Sequence, residues 1–146
     1  MKTVLRRATA KWNGNGLEGK GTLSTFSGAL TDRPFSTHAR FVDETGKEGT
    51  NPEELIGAAL AGCFSMAFSF ALTGAGHPPE SLEVKATVKA ESPDVDWTVV
   101  QVKLDLVGKV AGIDEAKFKE LAEKTKKNCP IGRLLKADII LDAKLA

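Results

Sequence analysis

From Leu55 to Leu72 no side chain is charged, while the apolar residues on either side fall into short alternating runs. A segment apolar on every side has the pattern of a helix at the centre of a fold. Its start is well marked. Thr50-Asn51-Pro52-Glu53 fits a capping box, and Asn51 before Pro52 fits a cap with proline at the first helical position. Gly74 and Gly76, with Pro78 and Pro79 beyond, mark its end.

Upstream, the pattern predicts strands over Thr3 to Trp12 and Leu17 to Thr25, flanking the hairpin turn signal Asn13-Gly14-Asn15-Gly16. A third strand fits Ser36 to Asp43, after the turn-like Leu30 to Pro34, with His38, Arg40 and Val42 sharing one face. Downstream, strands are expected over Ser81 to Glu91 and Thr98 to Val110, turning at Pro93 and Asp94. In the second, Val100, Val102, Leu104 and Leu106 alternate with Gln101, Lys103 and Asp105. Asp114 caps a helix over Glu115 to Lys127 with the apolar stripe Phe118, Leu121 and Ala122. A short helix over Pro130 to Lys136 and a closing strand over Ala137 to Leu145 complete the chain. Strands and helices are segregated, which predicts an α+β fold with antiparallel sheets around a long buried central helix, as a single domain over residues 1–146. One small sheet covers only one side of such a helix. Two copies packing their central helices together would cover the rest, and the small pairs Ala58/Gly62 and Ala61/Ser65 permit close approach, so a homodimer is expected.

Composition narrows the function. The chain is 42% apolar and 27% charged, in the ordinary globular range, so the core needs no staples. Its net charge of +1, with the signs interspersed, argues against a nucleic-acid or anionic-membrane surface. The 18 uncharged residues touch the lower limit for a membrane span. They are rich in Gly, Ala and Ser, follow Glu53 and Glu54, and lack an aromatic or basic anchor beyond, so a core helix is the better reading. The opening residues hold no apolar run of signal-peptide length, and the expected compartment is the cytoplasm. Thiols there are reduced, so a lone cysteine pair reads as catalytic or redox-active before structural.

The two cysteines are Cys63, within the uncharged run, and Cys129, in Asn128-Cys129-Pro130. Cys63 could be a small core hydrophobe, since burial disfavours the thiolate unless a cation lies beside it. Cys129, at the start of a proline-led helix, would feel unpaired amides and the positive end of the dipole. Zinc is disfavoured, because Cys63, Cys129, His38 and His77 show no paired short spacing. A cysteine hydrolase would need a base, and neither histidine sits where a base is marked. Gly14, Gly16, Gly19 and Gly21 belong to a hairpin, not to a phosphate-binding turn.

Gly49-Thr50-Asn51-Pro52-Glu53-Glu54-Leu55-Ile56-Gly57-Ala58-Ala59-Leu60-Ala61-Gly62-Cys63-Phe64-Ser65-Met66-Ala67, with Asn128-Cys129-Pro130 downstream, closely resembles the OsmC/Ohr family of thiol-dependent hydroperoxide reductases, and its OsmC branch in particular. The resemblance extends to Lys11-Trp12, Gly19-Lys20-Gly21-Thr22, Ala39-Arg40-Phe41 and Leu135-Lys136-Ala137-Asp138-Ile139. It implies that Cys63 is the peroxidatic cysteine, attacking a peroxide as thiolate and becoming a sulfenic acid. Cys129 would be the resolving cysteine that closes a disulfide with it. Arg40 would hold the thiolate and polarise the peroxide, and Glu53 would orient that arginine. Arg6, Arg7 and Arg33 are further arginines, and Glu54 neighbours Glu53. The resemblance also implies an intertwined homodimer, organic hydroperoxides as main substrates with hydrogen peroxide also used, dithiols or lipoyl-bearing proteins as reductants, and no metal or organic cofactor.

On one helix Glu53 and Cys63 are separated by about 15 Å of axial rise. An antiparallel partner helix would bring its glutamate alongside, so Glu53, and with it Arg40, is expected to act across the dimer. Phe64, Met66 and Phe68 would supply a water-poor pocket in which an arginine–thiolate pair is strong. A hydroperoxide reductase is therefore the leading reading. A dimeric apolar-ligand carrier or peroxide sensor without turnover, and a thiol hydrolase, are the alternatives.

Overall fold

The structure, a computed structural model, describes residues 1–146. Backbone contacts divide the chain into two units, residues 1–52 and 53–146.

The first unit is a three-stranded antiparallel sheet, β1 (Ala8–Asn13), β2 (Lys20–Thr25) and β3 (Arg33–Ser36), in that order, followed by helix α1 (Thr37–Phe41). The β1–β2 register pairs Asn13 with Lys20, so the connection is longer than a tight hairpin. Within it the Asn15 side chain accepts the Leu17 and Glu18 amides at 2.9 and 2.8 Å. Pro34 stands on the edge strand, where its missing N–H is tolerated.

The strand expected over Ser36 to Asp43 is not formed. Ser36 ends β3, and its hydroxyl accepts the Ala39 N–H at 3.0 Å, capping a helix instead. His38, Arg40 and Val42 therefore do not share a strand face. Beyond α1 the Asp43 carboxylate gathers the Thr45 hydroxyl and the amides of Thr45, Lys47 and Glu48, and these bonds, led by the hydroxyl, hold its pKa near 2. Only Gly19, Gly21 and Ala39 of this unit are buried, and β1 is exposed along its whole length.

In the second unit, helix α2 (Pro52–Gly74) leads into β4 (Ser81–Glu91), β5 (Thr98–Lys109), α3 (Glu115–Asn128), α4 (Pro130–Leu134) and β6 (Asp138–Leu145). The helix begins at Pro52, matching the reading with Asn51 before it. β4 and β5 are antiparallel, from Ser81 opposite Lys109 to Glu91 opposite Thr98. β6 pairs with β5 in parallel, Val102 opposite Ile139, which corrects the expectation of purely antiparallel sheets. Parallel neighbours need a long crossover, and α3 with α4 supplies it. β5, α3, α4 and β6 thus form a βαβ unit at the chain's end.

The core lies between this sheet and the helices. Val102, Leu104 and Leu106 of β5 meet Leu60, Phe64, Phe68 and Leu72 of α2 and Phe118 and Ala122 of α3, all at 1% exposure or less. Phe68 stacks on Phe64 and meets Phe118 edge-on at 5.2 Å between centroids. Burying each large apolar side chain contributes about 1.5–3 kcal/mol. A Cβ on Gly108 would lie 2.7 Å from the Phe118 ring, so glycine there lets α3 approach the sheet.

The central helix is long and apolar enough to span a membrane by length and composition. Its buried stripe of Gly57, Leu60, Phe64, Phe68 and Leu72 supplies the largest part of the core, which makes it a core helix. It is not buried all round within one chain. Ala58, Gly62, Met66 and Phe70, four residues apart, face outward, with Met66 66% and Phe70 74% exposed.

Candidate active site

Cys63 precedes Phe64 on α2, on the flank between the buried and outward stripes, and is half-buried. Cys129 is the single residue between α3 and α4, ending one helix and starting the next. Its extended backbone (φ −61°, ψ 123°) breaks the helical path. Its N–H donates to the Thr125 carbonyl and its own carbonyl accepts the Arg133 N–H, both at 2.9 Å. Pro130, at the first position of α4, fits because no helical N–H is needed there. The Cys129 side chain is 1% exposed within the hydrophobic core.

These two placements bring together thiols 66 residues apart in sequence. Cys129 Sγ lies 3.1 Å from Cys63 Sγ and donates its hydrogen to it, both cysteines being reduced. Burial pushes the Cys129 thiol up from its ordinary 9.0, and the hydrogen bond to Cys63 adds to this. The amides of Gly132 and Ile131 pull the other way and are outweighed. The expectation that the helix start would ease ionisation of Cys129 is thus reversed: desolvation outweighs a five-residue helix. Cys129 keeps its proton and points it at Cys63. A disulfide needs about 2.05 Å between sulfurs, so closure requires an approach of about 1 Å.

Glu53 stands in the first turn of α2, and the unbroken helix sets it about 15 Å of rise from Cys63 of the same chain. Arg40 is the fourth residue of α1, with its guanidinium 4.6 Å from the centre of the Phe41 ring. It borders a cavity of about 100 Å³ in the first unit, with Trp12, Phe35, Phe41 and Asn51 among its walls. The histidines are engaged elsewhere. His38 Nδ1 pairs with Glu48 at 2.7 Å on the surface, and His77 Nδ1 lies 3.4 Å from the Ala111 carbonyl. Neither pairing marks a general base for a hydrolase.

Sequence reasoning missed Thr125, whose carbonyl anchors Cys129 and whose hydroxyl donates to Leu121 O at 2.8 Å. A buried threonine four residues before the cysteine was the available signal. It also missed a cleft between α2 and α3, where Ala67, Ala71, Leu121, Lys124, Thr125 and Asn128 line about 260 Å³.

Residues 44–144 match the family model described as OsmC-like protein. The chain is 42% identical over 143 residues to Peroxiredoxin OsmC of Escherichia coli (strain K12), with 98% of each chain covered. Among solved structures, an OsmC-like protein of unknown function from Vibrio cholerae superposes with a TM-score of 0.76 at 16% identity, covering 97% of this chain and 99% of that one. The organic hydroperoxide resistance protein OhrB of Bacillus subtilis gives 0.66 at 21% identity, covering 96% and 98%. The structural likenesses show a shared fold. The match to the family model and the 42% relative establish that the chain belongs to the OsmC-like protein family.

Proposed function

We propose that Cys63 and Cys129 are the redox centre through which this chain, a thiol-dependent peroxidase of the OsmC family, reduces organic hydroperoxides to alcohols. The observation that carries the reading is the 3.1 Å separation of two reduced sulfurs. The Cys63 thiolate attacks the terminal peroxide oxygen, the O–O bond breaks, and the alkoxide leaves as alcohol after taking a proton. Cys63 is then a sulfenic acid. Cys129 displaces its oxygen as water and closes the Cys63–Cys129 disulfide, which a dithiol or a lipoyl-bearing protein reduces. Half-burial suits Cys63 to attack, and full burial suits Cys129 to wait, protonated, beside it.

In this reading Arg40 holds the thiolate and polarises the peroxide, and Glu53 orients the arginine. The rise of about 15 Å along α2 supports action of Glu53 from a partner copy. An intertwined homodimer is supported by the outward stripe Ala58, Gly62, Met66 and Phe70 and by the few buried residues of the first unit. The matches spanning nearly the full chain support one functional domain over residues 1–146. The interspersed charges and the presence of a lone cysteine pair suit the cytoplasm. A carrier would have no need of a second sulfur in contact with the first.

The test is consumption of cumene hydroperoxide with dithiothreitol as reductant. Cys63→Ser abolishes turnover. Cys129→Ser retains the first reduction and then over-oxidises at Cys63, seen by mass spectrometry. Full turnover by Cys63→Ser sinks the proposal.

A further inference from the structure

Arg40 stands on a loop that leaves the first sheet and returns to it. Pro34 of β3 forms the neck, where its carbonyl accepts the Thr50 N–H at 2.9 Å. A Cβ on Gly49 would lie 2.6 Å from that same oxygen, so the returning limb passes this close only as glycine. Between these points the chain forms α1, turns and comes back, as in compact loops whose ends meet. Arg40 on the outgoing limb and Thr50 and Asn51 on the returning one line a single cavity of about 100 Å³. The spacing of the two limbs therefore sets where the guanidinium can reach.

One side chain ties the limbs together. The N–H groups of Val42 and Asp43 both donate to the His38 carbonyl at 2.9 Å, so the Asp43 backbone belongs to the end of α1. Its carboxylate holds the returning limb. Oδ1 accepts the Thr45 hydroxyl at 2.6 Å and the Thr45 N–H at 2.9 Å. Oδ2 accepts the N–H groups of Lys47 at 2.9 Å and Glu48 at 3.0 Å. These bonds favour the charged form and hold the pKa near 2, so the tie stays ionised across the range in which thiols titrate. Glu48 also reaches back to His38 Nδ1 at 2.7 Å. That pair is open to water, where ion pairs contribute little, which leaves Asp43 as the principal tie. It lies three residues from Arg40 and joins the helix bearing the arginine to the limb facing it.

We infer that Asp43 is a positioning residue for Arg40, holding the helix that carries the guanidinium at a fixed distance from the returning limb. It rests on the reading above in which Arg40 keeps Cys63 ionised. Asp43 acts through the arginine and takes no part in making or breaking bonds.

The test follows the rate of cumene hydroperoxide reduction from pH 5 to 9 in the wild type, Asp43→Asn, Arg40→Met and the double variant. Asparagine keeps an oxygen for Thr45 but turns an NH2 group toward the Lys47 and Glu48 amides, so half of the tie is lost. Asp43→Asn raises the midpoint of the Cys63 profile by about one unit, which below the midpoint is roughly tenfold less thiolate and a tenfold lower kcat/KM. Arg40→Met shifts it at least as far, and adding Asp43→Asn to Arg40→Met changes nothing more, because both act through one guanidinium. Thr45→Val, which removes one bond of the tie, moves the midpoint the same way by less, and decides alone if Asp43→Asn does not fold. A midpoint unmoved in Asp43→Asn and Thr45→Val, whatever their melting temperatures, makes Asp43 a stabiliser of the turn and overturns the inference. Additive shifts in the double variant overturn it too. In both cases wild-type turnover leaves the peroxidase reading standing, whereas absence of wild-type turnover with every hydroperoxide overturns that reading and the inference with it.

Discussion

Oxidation should stabilise this protein strongly. Joining Cys63 to Cys129 closes a loop of 66 residues, which in the chain-entropy model removes enough freedom from the unfolded chain to stabilise the fold by about 4 kcal/mol at 25 °C. Native strain, the usual reason for a smaller gain, is limited here because the sulfurs start 3.1 Å apart and need to close by about 1 Å. At roughly 2–4 °C per kcal/mol for a chain of this size, the midpoint should rise by about 8–16 °C. Scanning calorimetry of protein treated with one equivalent of cumene hydroperoxide, against the same concentration held in dithiothreitol, measures the difference. A Cys129→Ser variant, which cannot close the loop, should show no such rise. An oxidised form no more stable than the dithiol would refute the reasoning, because it would require the native state to be distorted by a bond between side chains already in contact.

The raised thiol of Cys129 gives a pH dependence of defined sign. The folded chain retains that proton to higher pH than the unfolded chain does, so from about pH 9 upward the reduced protein loses stability until the folded value is passed. Urea midpoints from pH 7 to 10 should show this decline in the reduced form and not, from this group, in the disulfide form. Gly108→Ala pushes a methyl against the Phe118 ring and should cost about 1–3 kcal/mol in urea unfolding. Phe68→Ala empties the point where Phe64 and Phe118 meet and should cost about 3–5 kcal/mol by the same measure.

The second unit was legible in sequence wherever pattern and punctuation agreed. β4 spans the residues its alternation indicated, and α3 begins after Asp114, which accepts the Lys117 N–H at 2.7 Å as a cap should. The first unit was harder, because a single hydroxyl decides between strand and helix at Ser36 and six residues of weak alternation cannot outvote it. The parallel pairing of β6 follows from chain connectivity, which residue periodicity does not encode. The helix from Pro52 was readable as apolar on all sides, but which side the chain's own core would take depends on the sheet packed against it. The meeting of Cys63 and Cys129 has no local signal, since it depends on α2 and the α3–α4 junction packing on one core. The resemblance supplied the pairing. Lys124 looked like one more lysine on a wet helix face, and only the arrangement of α2 and α3 gives it a cleft.

The most direct test of the central claim is a thiol count and disulfide map after one equivalent of an organic hydroperoxide is added to the fully reduced protein. The account predicts loss of both thiols, release of one alcohol per chain, and a single cross-linked peptide pair containing Cys63 and Cys129. Two intact thiols, or a cross-link between chains in place of one within the chain, would contradict it.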